Sequence, residues 1–535
     1  MPRFLAIDLN AEEPAELNGD DFLNYKEKGI MKILLVYPKN PDTFWSFKHA
    51  LRFIFKKSTN PPLGLLTVAS MLPNDWEKRL VDMNVDALTD RDIEWADYVF
   101  VSAATIQKKS VGEIIQRCKA KKVKIVAGGP LFTSSHDEYE HIDHLVLNEA
   151  ETTLPRFLSD LRKGQARHKY ASDEWADLSE TPVPDWNLLK MKKYASMSIQ
   201  YSRGCPFDCD FCDIPLLYGH KPRIKDKNQI ITELQNLYDH GWRGVVFFVD
   251  DNFIGNKRSL KAEVLPAVAE WMRRMKYPFT FLTQASVNLA DDEELMRLMV
   301  QASFNTVFVG IETPDEESLA ECGKRQNKNR NLVECVKKIQ QFGLQVQGGF
   351  IVGFDNDPHT IFERQIRFIQ NSGIVTAMVG LLNAVRGTKL YQRLHKENRL
   401  LTEATGDNTD FSINFIPKMQ YTKLIEGYRN IVKTIYAPDQ FYARVKRFLE
   451  NYKPLNNGLG RLSLSEVKAF IMSIFVLGIK EKERFHYWRL FLWSLFSRPR
   501  LAPLAVTFAI YGFHFRRVFE RMKHDGGSVL VAGCS

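Results

Sequence analysis

The sequence has few cysteines, and they do not form the even, dispersed set that is typical of a disulfide-stabilised secreted protein. Seven occur in 535 residues. Four stand alone, and we interpret them as core or surface thiols: Cys118, Cys322, Cys335 and Cys534. A secretory signal is also lacking, because residues 1–30 are polar and hold seven acidic and three basic side chains. We therefore expect a flexible extension over residues 1–30 and a reducing, cytoplasmic location.

Long apolar runs are also lacking. The runs over residues 471–479 and 501–515 fall short of the ~20 residues that a membrane-spanning helix needs. The net charge of +9 is uneven, since residues 451–535 hold 13 Lys or Arg against 5 Asp or Glu. No recognition motif accompanies this charge, so we expect no nucleic-acid partner. Two interpretations stay open: a basic, aromatic-rich surface that contacts the inner face of the membrane peripherally, or an ordinary helical bundle.

Three further cysteines lie close together. Cys205, Cys209 and Cys212 have the spacing C-x3-C-x2-C. Three thiolates on one loop can bind three irons of a cubane 4Fe-4S cluster and leave the fourth iron open to another ligand. Zinc is the alternative, but it usually takes four ligands, the nearest further candidate is His220, and no second C-x2-C pair follows. A zinc or iron–sulfur protein without catalysis stays open as a hypothesis.

The cysteine triplet resembles the signature of the radical S-adenosylmethionine (SAM) enzymes. In that family an aromatic residue usually precedes the last cysteine, as Phe211 does here. The resemblance implies that the open iron binds the amino and carboxylate groups of SAM. It also implies that one electron from the cluster cleaves SAM to a 5′-deoxyadenosyl radical, with a reductase such as flavodoxin or ferredoxin as the electron donor.

Strand and helix patterns alternate over residues 31–170. Apolar runs predict buried parallel strands at Lys32–Pro38, Arg79–Met83, Tyr98–Ala103, Lys124–Ala127 and His144–Leu147. Helical patterns lie between them, for example over Leu63–Leu72 and Val111–Ala120. This alternation predicts a doubly wound, Rossmann-like α/β domain, whose ligands bind beyond the carboxyl ends of the strands.

This first region resembles the cobalamin-binding domain that stands in front of many radical SAM enzymes. The matching segments are the opening strand, Pro61–Leu65, Ala127–Pro130 and Asn148–Pro155. Gly128 and Gly129 follow a strand, where a backbone without Cβ can approach the corrin closely.

The cobalamin resemblance has one departure. Many such domains carry D-x-H-x-x-G, whose histidine ligates cobalt, and this motif is missing here. The resemblance places Gln107 at the lower corrin face, where a cobalt without a protein ligand is expected. A vestigial domain that binds no corrin is the alternative.

A polar linker over residues 171–190, stiffened by Pro182 and Pro184, is expected to join this domain to a second one over residues 191–400. Strands are predicted at Ser198–Tyr201, Gly244–Val249, Phe279–Gln284, Thr306–Val309, Gln345–Ile351 and Thr376–Leu382. Helices are predicted at Gln229–His240, Lys261–Met275, Asp292–Gln301 and Arg330–Phe342. Six strand–helix units predict a partial (β/α)6 TIM barrel.

The family resemblance assigns contacts to SAM at the ends of these strands. The positions are Asp250 and Asp251 for the amino end, Gln284 and Ser286 for the carboxylate or ribose, Glu312 for the ribose or amine, and Gly348 and Gly349 for the adenine. A turn role for Asp250 and Asp251 and a surface role for Glu312 stay open. Residues expected around the mouth of the cysteine loop are Tyr218, His220 and Arg223. Arg203 is expected to reduce the negative field of the cluster or to pair with an acidic neighbour, and a solvated arginine is the alternative.

Residues 401–535 are predicted to be mostly helical and resemble the tail of the subgroup that includes the hopanoid C-2 methylase. The whole resemblance implies a cobalamin-dependent C-methyltransferase that acts on an unactivated carbon of a small or lipid-like substrate. A radical SAM oxidase, cyclase or ring-rearranging enzyme is the alternative. Methylthio transfer is disfavoured because the chain has no second cysteine triplet.

Overall fold

The computed structural model describes residues 30–407, 409–454 and 464–525. The predicted extension over 1–29 and Cys534 lie outside the described residues. The strands are β1 Lys32–Tyr37, β2 Glu77–Asp82, β3 Tyr98–Ser102, β4 Lys124–Gly128, β5 His144–Val146, β6 Lys169–Tyr170, β7 Ser196–Ile199, β8 Ser202–Arg203, β9 Arg223–Ile224, β10 Gly244–Phe248, β11 Phe279–Gln284, β12 Phe304–Glu312, β13 Gln345–Val352 and β14 Ala377–Leu381.

The α-helices connect these strands and then form the C-terminal region. They are α1 Lys48–Leu51, α2 Leu63–Met71, α3 Asp90–Trp95, α4 Lys108–Ala120, α5 Pro130–Ser134, α6 Ala150–Arg162, α7 Ile214–Tyr218, α8 Lys227–Asp239, α9 Lys257–Ser259, α10 Leu265–Arg274, α11 Glu293–Gln301, α12 Glu316–Glu321, α13 Leu332–Gln341, α14 Ile361–Ser372, α15 Lys389–Lys396, α16 Tyr421–Ile435, α17 Pro438–Asn451, α18 Leu464–Ser473, α19 Arg484–Ser497 and α20 Ala502–Asp525.

The first sheet has the strand order β2-β1-β3-β4-β5-β6 and is parallel throughout. In β1, Leu34 and Val36 pack into one apolar core, whereas Ile33 and Leu35 pack into a second core. Successive side chains of a strand point to opposite faces, so an uninterrupted apolar run requires cover on both faces. The predicted doubly wound α/β fold of the first region is confirmed.

The second sheet has the order β14-β13-β12-β11-β10-β7 and is also parallel. All six predicted strands of the partial barrel are present, with ends shifted by up to three residues. The cysteine loop follows β7 and lies between β8 and β9, which pair antiparallel. A loop at the carboxyl end of a barrel strand is the usual place for reactive groups in such folds.

Both edges of the second sheet are covered. At β7, the backbone N–H groups of Ala195 and Ser196 donate to the carbonyl oxygens of Ser58 and Thr59, at 3.0 and 2.9 Å. Ser58 and Thr59 belong to the first region of the chain. Unpaired edge strands invite association with other chains, so this cover protects the barrel.

The opposite edge is covered by helix α16. The hydroxyls of Tyr428 and Tyr436 donate to the β14 carbonyl oxygens of Val379 and Ala377, at 3.1 and 2.7 Å. The C-terminal helical region is therefore attached to the barrel by hydrogen bonds to its last strand as well as by apolar packing.

The sequence prediction and the structure differ at one predicted helix and in the first part of the C-terminal region, which was predicted to be mostly helical. The helix predicted over residues 261–275 is divided into a π-helical turn, Leu260–Val264, and α10. Pro266 lies in the first turn of α10 and lacks the N–H that would continue the hydrogen bonding. In the described part of 401–420 no α-helix forms. Here the side-chain hydroxyls of Thr409 and Ser412 donate to Asp407 and Asp410, which favours turns instead.

Candidate active site

The three clustered cysteines lie on one loop whose geometry depends on a glycine. Gly204 has φ +95°, and a Cβ there would meet the Gly219 carbonyl oxygen at 2.9 Å. The thiols of Cys205, Cys209 and Cys212 are half-buried and free. Burial raises the pKa of all three, that of Cys212 to about 12. Free thiols in a dry site bind a metal only as thiolates, so a cluster there must displace their protons.

The Asp250 carboxylate binds the segment of chain that leads into the cysteine loop. It accepts hydrogen bonds from the Tyr201 backbone N–H at 3.2 Å and the Ser202 hydroxyl at 2.6 Å. The residue is fully buried, and burial raises its pKa to about 6. The Asp250 carboxylate therefore does not make the contact with SAM that was expected from sequence. It points into the protein interior and holds the backbone that follows β7.

Two side-chain amides approach the thiols. Asn252 Nδ2 lies 3.9 Å from Cys205 Sγ, and Gln326 Nε2 lies 3.9 Å from Cys209 Sγ. Asn252 Oδ1 also accepts from the Ser286 backbone N–H at 3.2 Å, which ties the end of β11 to the loop. Neither amide was predicted from sequence. Asn252 directly follows Asp250 and Asp251 in the sequence and could have been proposed as a site residue with them. Gln326 lies 114 residues after Cys212, and no sequence pattern links it to the cysteine loop.

A nearly buried ion pair lies beside the loop. Glu312 has φ +63°, and its carboxylate accepts from Lys324 Nζ at 2.6 Å. Burial acts to lower the pKa of Lys324, but the charges of Glu312 and Cys209 outweigh it, and the pKa lies above its ordinary value. Three thiols, two amide donors and one ammonium suit a negatively charged, thiolate-ligated iron–sulfur cluster. The residues therefore fit the predicted cofactor.

Asp251 and Ser286 lie close to the loop. Burial, and then the charge of Asp250, raise the pKa of Asp251 to about 7. Its Oδ2 is buried without a hydrogen-bond partner among the described residues. The Ser286 hydroxyl donates to Asn288 Oδ1 at 2.6 Å. Asp251 thus retains an acceptor that a ligand with N–H or O–H groups can satisfy.

One face of the second sheet is more exposed than the other, and we call it the inner face. Phe308 and Gly310 of β12 are half-buried on it, whereas Val307 and Val309 are fully buried on the other face. Gln284 is in register with Phe308, so its side chain shares the inner face.

The two predicted adenine-binding glycines point to opposite faces. Gly349 lies on the inner face, where a Cβ would meet the Phe308 ring at 2.8 Å. A Cβ on Gly348 would instead meet Phe350 at 2.8 Å and Ile374 at 3.0 Å. Of the two, only Gly349 faces the region of the cysteine loop, and the Phe308 ring lies over it.

Aromatic rings line the inner face away from the loop. Trp45 meets Phe308 edge to face with 5.4 Å between ring centroids, and Trp45 is 36% exposed. The neighbouring Phe44 stacks on Phe515 of α20 at 4.2 Å. A segment of the first region thus brings an accessible indole to the barrel and is held there by the C-terminal helices.

A cavity of about 270 Å³ lies between the two sheets. Gly128 and Gly129 line it from the first sheet, and Gln200 and Val249 line it from the second. A Cβ on Gly128 would lie 2.6 Å from the Val146 carbonyl oxygen, and Gly129 has φ +90°. The cavity therefore follows the carboxyl ends of β4 and β5, where ligands of doubly wound sheets bind. It can hold one arm of a corrinoid, and this fits the predicted position of cobalamin.

Gln107 does not reach this cavity. Its Oε1 accepts from the Ala104 backbone N–H at 2.9 Å, and its Nε2 donates to the Pro38 carbonyl oxygen at 2.7 Å. The side chain is 1% exposed. Both ends of the amide are therefore used within the fold, which differs from the contact with the corrin face that was expected from sequence.

A buried ion network joins the two regions beside the cavity. Arg203 donates to Glu149 at 2.9 Å and to Glu151 at 2.8 Å, and Arg223 donates to Glu149 at 2.8 Å. Arg203 and Arg223 flank the cysteine loop, whereas both glutamates lie in the first region. This ion network thus connects the residues that flank the cysteine loop to the wall of the cavity.

The described part of the chain lacks two further features. Residues 30–407, 409–454 and 464–525 contain no group of three or more His, Cys, Asp or Glu side chains arranged to hold a single metal ion. Within the same ranges, no helix has both the length and the apolar composition needed to cross a bilayer.

Three family models match successive parts of the chain. The B12 binding domain matches residues 57–158, the Radical SAM superfamily matches residues 199–369, and a domain of unknown function, DUF4070, matches residues 388–526. The three matches follow the order of the first sheet, the second sheet and the C-terminal helices.

Curated relatives match most of the chain. An uncharacterized methyltransferase of Synechocystis sp. is 41% identical over 94% of this chain and 94% of its own length. The hopanoid C-2 methylase of Rhodopseudomonas palustris is 35% identical over 77% of this chain and 78% of its own length.

One solved structure has the same overall fold. The cobalamin-dependent SAM radical enzyme OxsB, solved with aqua-cobalamin and SAM bound, superposes with a TM-score of 0.60 at 15% identity. The match covers 94% of this chain and 81% of that one.

Proposed function

The chain belongs to the B12-binding radical SAM family with a C-terminal DUF4070 domain, whose cofactors are a 4Fe-4S cluster, SAM and cobalamin, and we propose that it methylates an unactivated carbon of a lipid-like substrate. The names of the two relatives support methyl transfer, and that of the Rhodopseudomonas palustris protein supports a lipid substrate. The observation that carries the substrate class is the aromatic wall that Trp45 and Phe308 form on the inner face.

When bound, the cluster and SAM supply a radical that removes a hydrogen atom, and cobalamin supplies the methyl group. The chain's own residues hold and isolate these groups. In this proposal Cys205, Cys209 and Cys212 ligate the cluster, while Asn252 and Gln326 direct their amide N–H groups at two of the sulfurs. Such donors and the nearby Lys324 reduce the cost of placing negative charge in a dry site.

The proposed SAM contacts are polar groups at the carboxyl ends of the barrel strands beside the cysteine loop. Asp251 offers a buried carboxylate oxygen without a partner among the described residues, which suits the amino group of SAM. Gln284, Ser286 and Glu312 end the next two strands and surround the same space. In this proposal Asp250 holds the backbone before the cysteine loop through hydrogen bonds and does not contact SAM.

For cobalamin, we propose that Gly128 and Gly129 let one arm of the corrinoid pass close to the backbone between the two sheets. Gln107 is engaged by Ala104 and Pro38, so it supplies no ligand to cobalt in this arrangement.

The substrate would bind against the rings of Trp45 and Phe308. Aromatic rings give a large apolar contact area, and Gln284 and Gln347, which are in register with Phe308, add polar groups that can orient a substrate on this part of the inner face. An apolar substrate held there lies on the same face of the sheet as Gln284, which ends β11, and Gly310, which lies two residues before the end of β12. This arrangement supports hydrogen abstraction from a carbon without activating groups.

Anaerobic reconstitution tests the proposal. The protein with iron, sulfide, hydroxocobalamin, SAM and a reductant should show cluster absorbance and release 5′-deoxyadenosine. With SAM that carries a trideuterated methyl group and a lipid extract, mass spectrometry should find a lipid that has gained the label. A product without the label would contradict methyl transfer and favour oxidation, cyclisation or rearrangement.

Cysteine variants test the ligand assignment. Cys205→Ala, Cys209→Ala and Cys212→Ala should each lose cluster absorbance and 5′-deoxyadenosine release, because each removes one of three ligands. Cys335→Ala is the matched control, since Cys335 is also half-buried but lies on α13, away from the loop. A normal cluster in any of the three variants would refute the assignment.

A further inference from the structure

We propose that the helical hairpin over residues 464–497 docks the protein on the surface of an anionic lipid bilayer. The hairpin consists of α18, a π-helical segment Ile474–Lys480 and α19. This inference concerns where the protein works and does not depend on the proposed substrate.

The hairpin exposes two apolar stripes. Val467, Ile471, Phe475 and Ile479 are all exposed and recur every four residues, which places them along one face of the first arm. On α19, Phe485, Leu492 and Phe496 recur at intervals of seven and four residues, and Phe485 and Phe496 are 74% and 82% exposed. Large aromatic side chains with this exposure are costly in water unless a partner covers them.

The opposite faces of both arms are already used in packing. The Ser473 and Tyr487 hydroxyls form a hydrogen bond at 2.9 Å, and Trp488 Nε1 donates to the Gly478 carbonyl oxygen at 3.0 Å. The two arms therefore hold each other through these faces, and the apolar stripes remain outside the protein interior.

The charges around the stripes are cationic. Glu481 and Glu483 pair with Arg517 and Arg516 of α20, each at 2.7 Å. By contrast, five exposed cations have no ion-pair partner among the described residues: Lys480, Lys482, Arg484, Arg489 and Arg500. Glu481 and Glu483 are thus neutralised internally, while the five cations lie around exposed aromatic rings.

The apolar stripes and the cations together indicate which partner binds the hairpin. Apolar side chains bordered by Lys and Arg are typical of helices that lie in the headgroup region of anionic membranes. A second copy of the chain would place the same five cations opposite each other in a two-fold interface, where like charges repel. An acidic lipid surface satisfies both the apolar stripes and the cations.

Vesicle flotation of the full, reconstituted chain tests the inference. The protein should float with phosphatidylcholine vesicles that contain phosphatidylglycerol, and binding should fall when phosphatidylglycerol is omitted or NaCl is raised. Phe475→Glu with Phe485→Glu and Phe496→Glu should weaken the partition at least tenfold. Lys482→Gln should weaken it about fivefold, because a cation near an anionic surface contributes about that factor.

Leu401→Glu is the matched control, since Leu401 is 58% exposed but lies outside the hairpin. It should float like the unmodified chain. Circular dichroism reports whether each variant is folded, and the salt dependence of the unmodified chain needs no variant. The inference is refuted if the unmodified chain floats with neither vesicle or if the triple variant floats equally well. It is also refuted if gel filtration shows a dimer that the triple variant dissociates. SAM cleavage is measured separately, so failure of docking is distinct from failure of the proposed function.

Discussion

Lys324 and Glu312 show how a single pair of residues can connect the barrel to the cysteine loop. Their side chains are 12% and 8% exposed, and the 2.6 Å contact neutralises both charges in a dry setting. An ion pair of this kind contributes little net stability when intact, but removing one partner leaves the other charge buried and uncompensated.

We therefore predict that Lys324→Met lowers the free energy of unfolding by about 3–5 kcal/mol. Chemical unfolding followed by circular dichroism measures this change. Lys338→Met is the control, because the Lys338 side chain is 40% exposed in its pair with Glu293. An exposed pair of this kind should cost below about 1 kcal/mol. Equal losses in the two variants would contradict the prediction.

The sequence contains a local signal for the proposed cluster ligands but none for the residues that surround them. The cysteine triplet is a local pattern, so Cys205, Cys209 and Cys212 could be identified directly. Asp250 and Asp251 are adjacent in sequence just after β10, yet the Asp250 carboxylate binds the backbone before the cysteine loop, whereas the Asp251 carboxylate has an oxygen without a partner among the described residues. Gln326 and Lys324 reach the site only through the fold.

The turn between β4 and α5 depends on a residue without a side chain. Gly129 has φ +90° and ψ −179°, a combination that is almost limited to glycine. A Cβ there would also lie 2.6 Å from Ser102 Oγ.

Gly129→Ala should accordingly destabilise the first region by roughly 1–3 kcal/mol and reduce the corrinoid content of anaerobically purified protein. Gly112→Ala is the matched control, since Gly112 lies inside α4 and a Cβ there would meet nothing within 4 Å. That control should raise stability by roughly 0.5–1 kcal/mol. Thermal unfolding and the corrin absorbance after purification measure the two effects. A normal corrinoid content in Gly129→Ala would count against the assigned position of the cofactor.

Strands were easier to predict than irregular segments. Continuous apolar runs gave all six barrel strands, and β11 was predicted with the observed ends, Phe279–Gln284. The π-helical turn at Leu260–Val264 was missed because its hydrogen bonding leaves no distinct pattern of apolar residues. The turns around 405–412 were missed because their Asp, Thr and Ser residues were grouped with the helical segments that begin after residue 420.

The two α/β regions are joined by a network that combines four charged side chains. Arg203, Glu149 and Glu151 are 11%, 2% and 7% exposed, so the charges depend on each other rather than on water. The predicted fold class, family and cofactors are confirmed, but the partners in this interface were not predicted, since they are 52 to 74 residues apart and no local pattern links them.

We predict that Arg203→Gln lowers the unfolding free energy by about 3–5 kcal/mol, because it leaves two buried carboxylates with less positive charge. Arg273→Gln is the control, since that pair with Glu270 is exposed. Chemical unfolding of the two apoproteins compares them directly. If Arg273→Gln cost as much as Arg203→Gln, burial would not be the cause.

The same network predicts that the stability of the fold depends on pH. Burial acts to raise the pKa of Glu151, but Arg203 outweighs it and holds the pKa below the ordinary value of 4.5. Since the unfolded chain then binds the proton more tightly, this contribution to stability is complete above about pH 4.5 and is lost as the pH falls through the lowered pKa. Unfolding midpoints measured between pH 6 and 3 should fall less steeply in Arg203→Gln than in the unmodified chain.

The cover that Ser58 and Thr59 provide for β7 has a consequence for how this molecule could be divided. A fragment that began at the linker would retain the cysteine loop but would lose the neighbouring segment that hydrogen-bonds to the start of β7. Such a fragment should associate with copies of itself along β7. The first region therefore protects an edge of the barrel, even though the two regions match separate family models.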